Sequence, residues 1–231
     1  MQLAYVMLTP YTIRKSRTGA VFARLLGRTS AELVSARMFA PSAEQTEKFA
    51  ASIRTVEDSA EEECRQYLRE YIRENFSPAP DGRQHRTLML VFRGENALDE
   101  ISAIVGSIRI SDYSGETIRD AYGDLVRNDD GSLRYFEPAV ITPDRHSLAC
   151  DLQSWLEFAH AQPPVLERIC HYDNPEVVQQ TIVMIKPDSW KRLSSRPGSI
   201  LDMFSRTGLR IIGCKVIHFS IAQAMEFYGP V

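Results

Sequence analysis

Residues 181–215, TIVMIKPDSWKRLSSRPGSILDMFSRTGLRIIGCK, decide how the rest of the chain is read. A run of Thr181, Ile182, Val183, Met184 and Ile185 breaks at Lys186-Pro187-Asp188. Apolar and β-branched side chains suit a pleated surface and proline cannot continue a ladder, so the run predicts a strand with a cation at its end. Pro197-Gly198 leads into Ile200, Leu201 and Phe204, spaced for one helix face, and Gly208 precedes a second apolar run at 209–217. The order is strand, turn, helix, strand.

The same order stands near the N-terminus. Tyr5-Val6-Met7-Leu8-Thr9-Pro10 aligns with Ile182-Val183-Met184-Ile185-Lys186-Pro187. At a nearly constant offset Gly19 matches Gly198, Leu33-Val34 matches Ile211-Ile212, Arg37 matches Lys215 and Ser42 matches Ser220. Two apolar strands, a proline and a glycine at one spacing read as an internal duplication. The expected organisation is a domain over 1–160, a linker over 161–179 and the N-terminal part of a second, truncated domain over 180–231. That second copy stops after its second strand and the start of a helix, too little to close a core. A fragment of a longer two-copy protein is therefore expected.

Composition narrows the class. Hydrophobic residues make up 44% and charged residues 25% of the 231, the balance of a soluble globular protein. The net charge of −3, without a basic tract, gives no electrostatic footprint for nucleic acid. No apolar run reaches membrane-spanning length and no leader pattern opens the chain, so a cytoplasmic protein is expected. Cys64, Cys150, Cys170 and Cys214 are scattered without CxxC spacing. Free thiols are expected from that spacing, with no metal site.

In chain order, residues 4–8 predict a central strand, and Thr18-Gly19 opens a helix with Val21, Phe22, Leu25 and Leu26 on one face. Residues 33–39 supply strand two, and Pro41-Ser42 caps a further helix. Between 56 and 76 a charged segment carries Cys64, Tyr67, Leu68, Tyr71 and Ile72 on one amphipathic stripe, a helix covering a sheet. Residues 87–92 predict strand three and 97–105 a helix between Gly94 and Gly106. Residues 128–132 predict a tight turn, and an extended segment at 134–141, interrupted by Pro138, the fourth strand. Leu148, Leu152, Trp155, Leu156 and Phe158 mark a last helix, ended by Pro163-Pro164. The pattern is an α+β ferredoxin-like βαββαβ unit, a four-stranded antiparallel sheet with helices on one face.

The strand-end Lys-Pro-Asp, the helix after it, Gly208 and the stretch from Ser220 to Tyr228 resemble the opening of a nucleoside diphosphate kinase domain. Residues 92–122 lie on the family pattern without a gap, with Gly94, Asn96, Gly106, Asp112 and Thr117-Ile118-Arg119 at matching places. The resemblance covers nearly all of 3–158 and again 180–228. It implies transfer of phosphate from a nucleoside triphosphate to a diphosphate through a phosphohistidine, with Mg²⁺ accompanying the nucleotide. It implies nucleotides such as ATP as partners, with self-association or a pseudo-dimer of the two copies, and neither nucleic acid nor membrane.

Laid on that resemblance, the first copy has lost most of the site. Thr9 stands for the family lysine, Ser102 for an arginine and Ile108 for a threonine, both phosphate contacts. The nucleophile's position falls on Thr142, the asparagine expected three residues earlier is Ala139, and Ala50 replaces a tyrosine. Arg119 is the one nucleotide-binding residue retained. Threonine does not replace a phosphate-accepting imidazole without an activating base. His146, four residues on, becomes the nucleophile only by deleting part of the following helix, and reads as an exposed helix-capping residue. The second copy keeps the family lysine as Lys186 and the tyrosine as Tyr228, and its histidine is expected beyond Val231. Two other classes were open: a non-catalytic nucleotide-sensing or scaffolding module, and single-stranded RNA binding. The second lacks both stacking aromatics and a positive field. A Walker-type phosphate loop is absent.

Overall fold

The structure, a computed structural model, describes residues 1–127 and 130–229. Its chain runs β1 (Gln2–Leu8), α1 (Pro10–Arg14), α2 (Thr18–Arg28), β2 (Glu32–Phe39), α3 (Ala43–Ser52), α4 (Ser59–Phe76) and β3 (Thr87–Gly94). It continues with α5 (Ala97–Val105), α6 (Ile118–Tyr122), β4 (Leu125–Arg127), β5 (Leu133–Phe136), β6 (Val140–Ile141), α7 (Leu148–Ala161), α8 (Arg196–Ser205) and α9 (Ile221–Tyr228). Of the turn expected at 128–132, Asn128 and Asp129 lie outside the described residues.

Side chains alternate across a strand, so a strand buried at every position must be covered on both faces. In β1, Ala4, Val6 and Leu8 enter one apolar cluster with α2 and α5, while Tyr5 and Met7 enter another with α3, α4 and α7. Both faces of the sheet are therefore clothed, where helices on one face were expected. The reason is the charged segment: its stripe at Tyr71, Ile72 and Phe76 lies buried in the second cluster. Asp58 caps α4 by accepting from Glu61 N at 2.7 Å, so the helix starts at Ser59 rather than near Val56.

The sheet is ferredoxin-like and antiparallel, in the order β2-β3-β1-β6. Its fourth strand is shorter than expected. The 134–141 segment divides at Pro138: β5 pairs with β4 in a separate two-stranded sheet, and only Val140–Ile141 pairs with β1. Proline donates no ladder hydrogen bond, so one continuous strand through it is disfavoured. Among the described residues no helix is long and apolar enough to cross a membrane.

The expected strands at 181–185 and 209–217 do not form. Ile182 is 83% exposed, and the second run makes a single antiparallel bridge, Lys215 to Arg37 of β2. In the N-terminal unit the strands before and after the first long helix do not pair with each other, because β3 stands between them. Residues 180–229 contain no counterpart of β3. The helices need no such partner and do form.

Residues 161–179, expected as a linker, are partly tied down. Leu166 is buried in the core and its N–H donates to Ile212 O at 2.8 Å, while Arg168 O accepts from Gln84 N at 2.9 Å. The closest approach between the units is the crossing of α2 and α8. A Cβ on Gly19 would lie 2.0 Å from Asp202 N, and one on Gly198 would lie 2.1 Å from Ala23 N. Trp190 adds a tilted ring contact to Phe22 at 6.3 Å between centroids. Gly19→Ala is expected to lose about 1–3 kcal/mol by overpacking, more than the roughly 0.5–1 kcal/mol that alanine gains in a helix interior. Urea denaturation of the chain measures it; an unchanged or raised midpoint would mean that the helices part freely.

Candidate functional site

A cavity of about 550 Å³ opens on the face of the sheet covered by α3, α4 and α7. Ser102, Ile108, Arg119 and Thr142, distant in sequence, all line it. Each arrives by its own route. Ser102 lies on α5, Ile108 follows that helix's Gly106 C-cap, Arg119 is held on α6 and Thr142 follows β6. Gly106 takes φ +81°, and a Cβ there would meet Thr117 Oγ1 at 2.3 Å, so α5 can turn into this loop only through glycine.

Thr9 and Ala139 are not on the cavity wall. Thr9 is fully buried at the end of β1, where its Oγ1 donates toward Pro138 O at 2.7 Å and its N–H to Ala139 O at 3.2 Å. Thr12 Oγ1 donates to the same Ala139 oxygen at 2.5 Å. The position aligned with Lys186 has thus become a clip between the end of β1 and the segment entering β6.

Arg119 is 8% exposed. Its Nη1 donates to Gly106 O at 2.7 Å and its Nη2 to Val140 O at 3.2 Å, while the buried Nε has no partner. No carboxylate lies within ion-pair distance of it among the described residues. Burial pulls the guanidinium down to about 10 from its ordinary value. It remains a cation at neutral pH, held by dipoles alone on a cavity wall, its shielded Nε–H unpaired.

Thr142 is half-buried, and among the described residues no carboxylate or imidazole accepts its hydroxyl. Asp144 accepts instead from His146 N, Ser147 N and Arg65 Nη1. Asp151, 3% exposed, accepts from Tyr5 Oη at 2.8 Å, and desolvation raises its carboxyl above the usual range. His146 is exposed and does not line the cavity.

Several wall residues carry no site assignment from the sequence, where Cys64 and Leu68 read only as part of a helix stripe covering the sheet. Glu61, Cys64, Arg65 and Leu68 of α4 line the cavity, as do Arg109 and Asp151. Their spacing of three and four marks one helix face. The same spacing gives a solvated face just as well, so sequence alone does not tell which. Arg65 is committed to Glu61 at 2.7 Å and Asp144 at 3.1 Å.

In the C-terminal segment, Lys186 is exposed and caps the short 3-10 turn Pro187–Trp190. Thr9 stands in the same way before Pro10 and α1, in extended backbone followed by a proline-led turn. Tyr228, 47% exposed, brings its hydroxyl 3.9 Å from Met184 Sδ, two residues before Lys186.

Residues 179–231 match the family described as nucleoside diphosphate kinase. Over 52 residues the chain is 44% identical to the nucleoside diphosphate kinase of Cereibacter sphaeroides and 41% to that of Pasteurella multocida. Each match takes in 22% of this chain and 36% of the relative, so the chain spans about a third of the length of the curated relatives it matches. Two solved structures share its fold. A nucleoside diphosphate kinase of Borrelia burgdorferi, a transition-state mimic with vanadate and ADP, superposes with a TM-score of 0.52 at 13% identity, covering 76% of this chain and 94% of that one. An NDP kinase of Pyrobaculum aerophilum gives 0.51 at 14% identity, covering 67% and 94%.

Two outcomes are expected from this geometry. Thr9→Val keeps the shape but orphans the Pro138 carbonyl, and should cost about 1–3 kcal/mol in urea denaturation; no cost would remove the clip. For Asp151 the folded carboxyl holds its proton to higher pH than the unfolded one. Its contribution is full below the ordinary carboxylate range and is lost as pH rises through the raised folded value. Asp151→Asn, which still accepts from Tyr5, should therefore gain stability on the wild type between about pH 4 and pH 7. Parallel melts at both values would refute this if the difference stayed constant.

Proposed function

We propose, from the match of residues 179–231 to the nucleoside diphosphate kinase family, that this chain comes from a two-copy protein of that family. Its N-terminal unit is a non-catalytic partner, and the domain opened by residues 179–231 transfers phosphate from a nucleoside triphosphate to a diphosphate. The observation that supports this best is the contrast at equivalent places: Thr9 is buried in a clip, whereas Lys186 is exposed after the unladdered run 181–185. Phosphoryl transfer through an enzyme-bound phosphate needs an activated nucleophile and cations on the phosphate oxygens. Among the described residues no carboxylate or imidazole accepts the Thr142 hydroxyl, and Arg119 is a cation free of any carboxylate at one of the family's places. The nucleophilic histidine follows a fourth strand in the family order, and no residue of 179–231 holds that position.

The role of partner draws support from symmetry. Gly19 and Gly198, equivalent in the alignment, both lie at the crossing of α2 and α8, and the equivalent Arg37 and Lys215 pair across the strand edge. Contacts in which residue i meets j and j meets i belong to a two-fold interface. The two copies are read as an internal pseudo-dimer.

A second reading, a nucleotide sensor in the N-terminal unit, draws on the unpartnered Arg119 Nε, which fits a phosphate oxygen. No cluster of three or more metal-binding side chains occurs among the described residues, so Mg²⁺ would enter on the nucleotide's own phosphates.

Incubated with ATP labelled on its terminal phosphate, the 231-residue chain should acquire no acid-labile phosphate. A chain carrying a whole second domain should acquire it, and Lys186→Ala should slow that step at least about tenfold, the loss of one charge-assisted contact. Phosphohistidine on the 231-residue chain would refute the assignment. Calorimetry with ADP and Mg²⁺ separates the two roles: saturable binding weakened by Arg119→Gln means a sensor, and no binding means a partner only.

A further inference from the structure

The cavity holds a nucleophile of a different kind, which phosphoryl transfer does not use. Cys64, half-buried on α4, lies on the wall, and Arg109 Nε donates to its Sγ at 3.1 Å. Arg109 has no ion-pair partner among the described residues. Neither has the nine-tenths buried Arg119 on the same wall, whose Nε is unsatisfied. Each carboxylate on the wall has a partner other than Arg109 or Arg119: Asp144 takes Arg65, and Asp151 accepts from Tyr5. Glu61 takes Arg65, Asp58 caps α4, and Asp112 accepts from Ser107 and Ser111. Two cations without carboxylate partners thus share a wall with one half-buried sulfur, in a space large enough for a small molecule.

We propose that Cys64 is a covalent modification site that forms mixed disulfides with low-molecular-weight disulfides bearing carboxylates, Arg109 and Arg119 seating the carboxylates. The Cys64 thiol gives its proton to solvent, and its thiolate attacks one sulfur of the incoming disulfide. A Cys64–sulfur bond forms as the reagent's own S–S bond breaks, and the departing thiolate takes the electron pair and a proton from water. The incoming disulfide is the only oxidant needed. The site stands whether or not the unit binds nucleotide.

The chain supplies its own references. Cys150 on α7 is exposed, no cation bonds to it, and it lies outside the cavity. Cys214 packs against the core, and burial pushes its thiol up to about 11. The 231-residue chain is treated with glutathione disulfide, which is anionic, or with cystamine, which is cationic, and modified peptides are timed by mass spectrometry. Cys64 should outrun the more exposed Cys150 with glutathione disulfide. With cystamine the ratio of the two rates should fall at least about fivefold, the effect of one charge at contact distance in a water-like medium. Arg109→Gln should lower the Cys64 rate with glutathione disulfide by about the same factor and leave Cys150 unchanged, with Cys214 still protected as the sign of an intact fold. If the variant exposes Cys214, the comparison of the two reagents on the wild type decides. Cys150 reacting first with both reagents, or a Cys64-to-Cys150 ratio indifferent to reagent charge, overturns the proposal.

Discussion

One strand pairing governs the molecule: β3 must lie between β1 and β2. Strands adjacent in sequence are not adjacent in the sheet, so each apolar run gains its hydrogen bonds only when the third arrives. The N-terminal unit has all three, and β1 is buried to both sides as a result. Residues 180–229 have the first two runs without the third. Their backbone is left unladdered, although helices α8 and α9, whose bonds are internal, stand complete.

What the C-terminal segment lacks in its own sheet it partly recovers on its neighbour. The edge of β2 bridges to it through Arg37 and Lys215, and α8 crosses α2 where two glycines let the backbones touch. An edge strand is an open row of donors and acceptors, and covering it removes a route to aggregation. The cover here is a single antiparallel bridge, with Arg37 opposite Lys215.

The cavity wall and the strand end beside it hold their polar groups in different ways. The end of β1 is a hydrogen-bonded clip at Thr9 and Thr12. Arg119 stays because its guanidinium holds Gly106 and Val140 by their carbonyls, a structural duty beyond any ligand. Meanwhile α4 brings Arg65 and Cys64 to the wall, and Arg109 joins them from the loop after α5. Of these cations, Arg65 has carboxylates as partners and Arg109 a sulfur.

Periodicity and punctuation were enough for much of this. The helix at Ala97–Val105, the Ser42 cap that accepts from Gln45 N, and the three long strands of the N-terminal unit follow from local side-chain pattern and backbone chemistry. Alignment of the two halves marked Thr9, and the resemblance to the kinase family marked Ser102, Ile108, Arg119, Ala139 and Thr142, because a residue at a motif position is a property of the chain alone. Tertiary structure decided the rest. Whether the stripe of α4 met solvent, sheet or cavity depended on what stood opposite it, and apolar spacing is silent on that. That 181–185 forms no ladder and 209–217 only a single bridge depends on what stands beside them, since a strand, unlike a helix, takes its hydrogen bonds from residues remote in sequence.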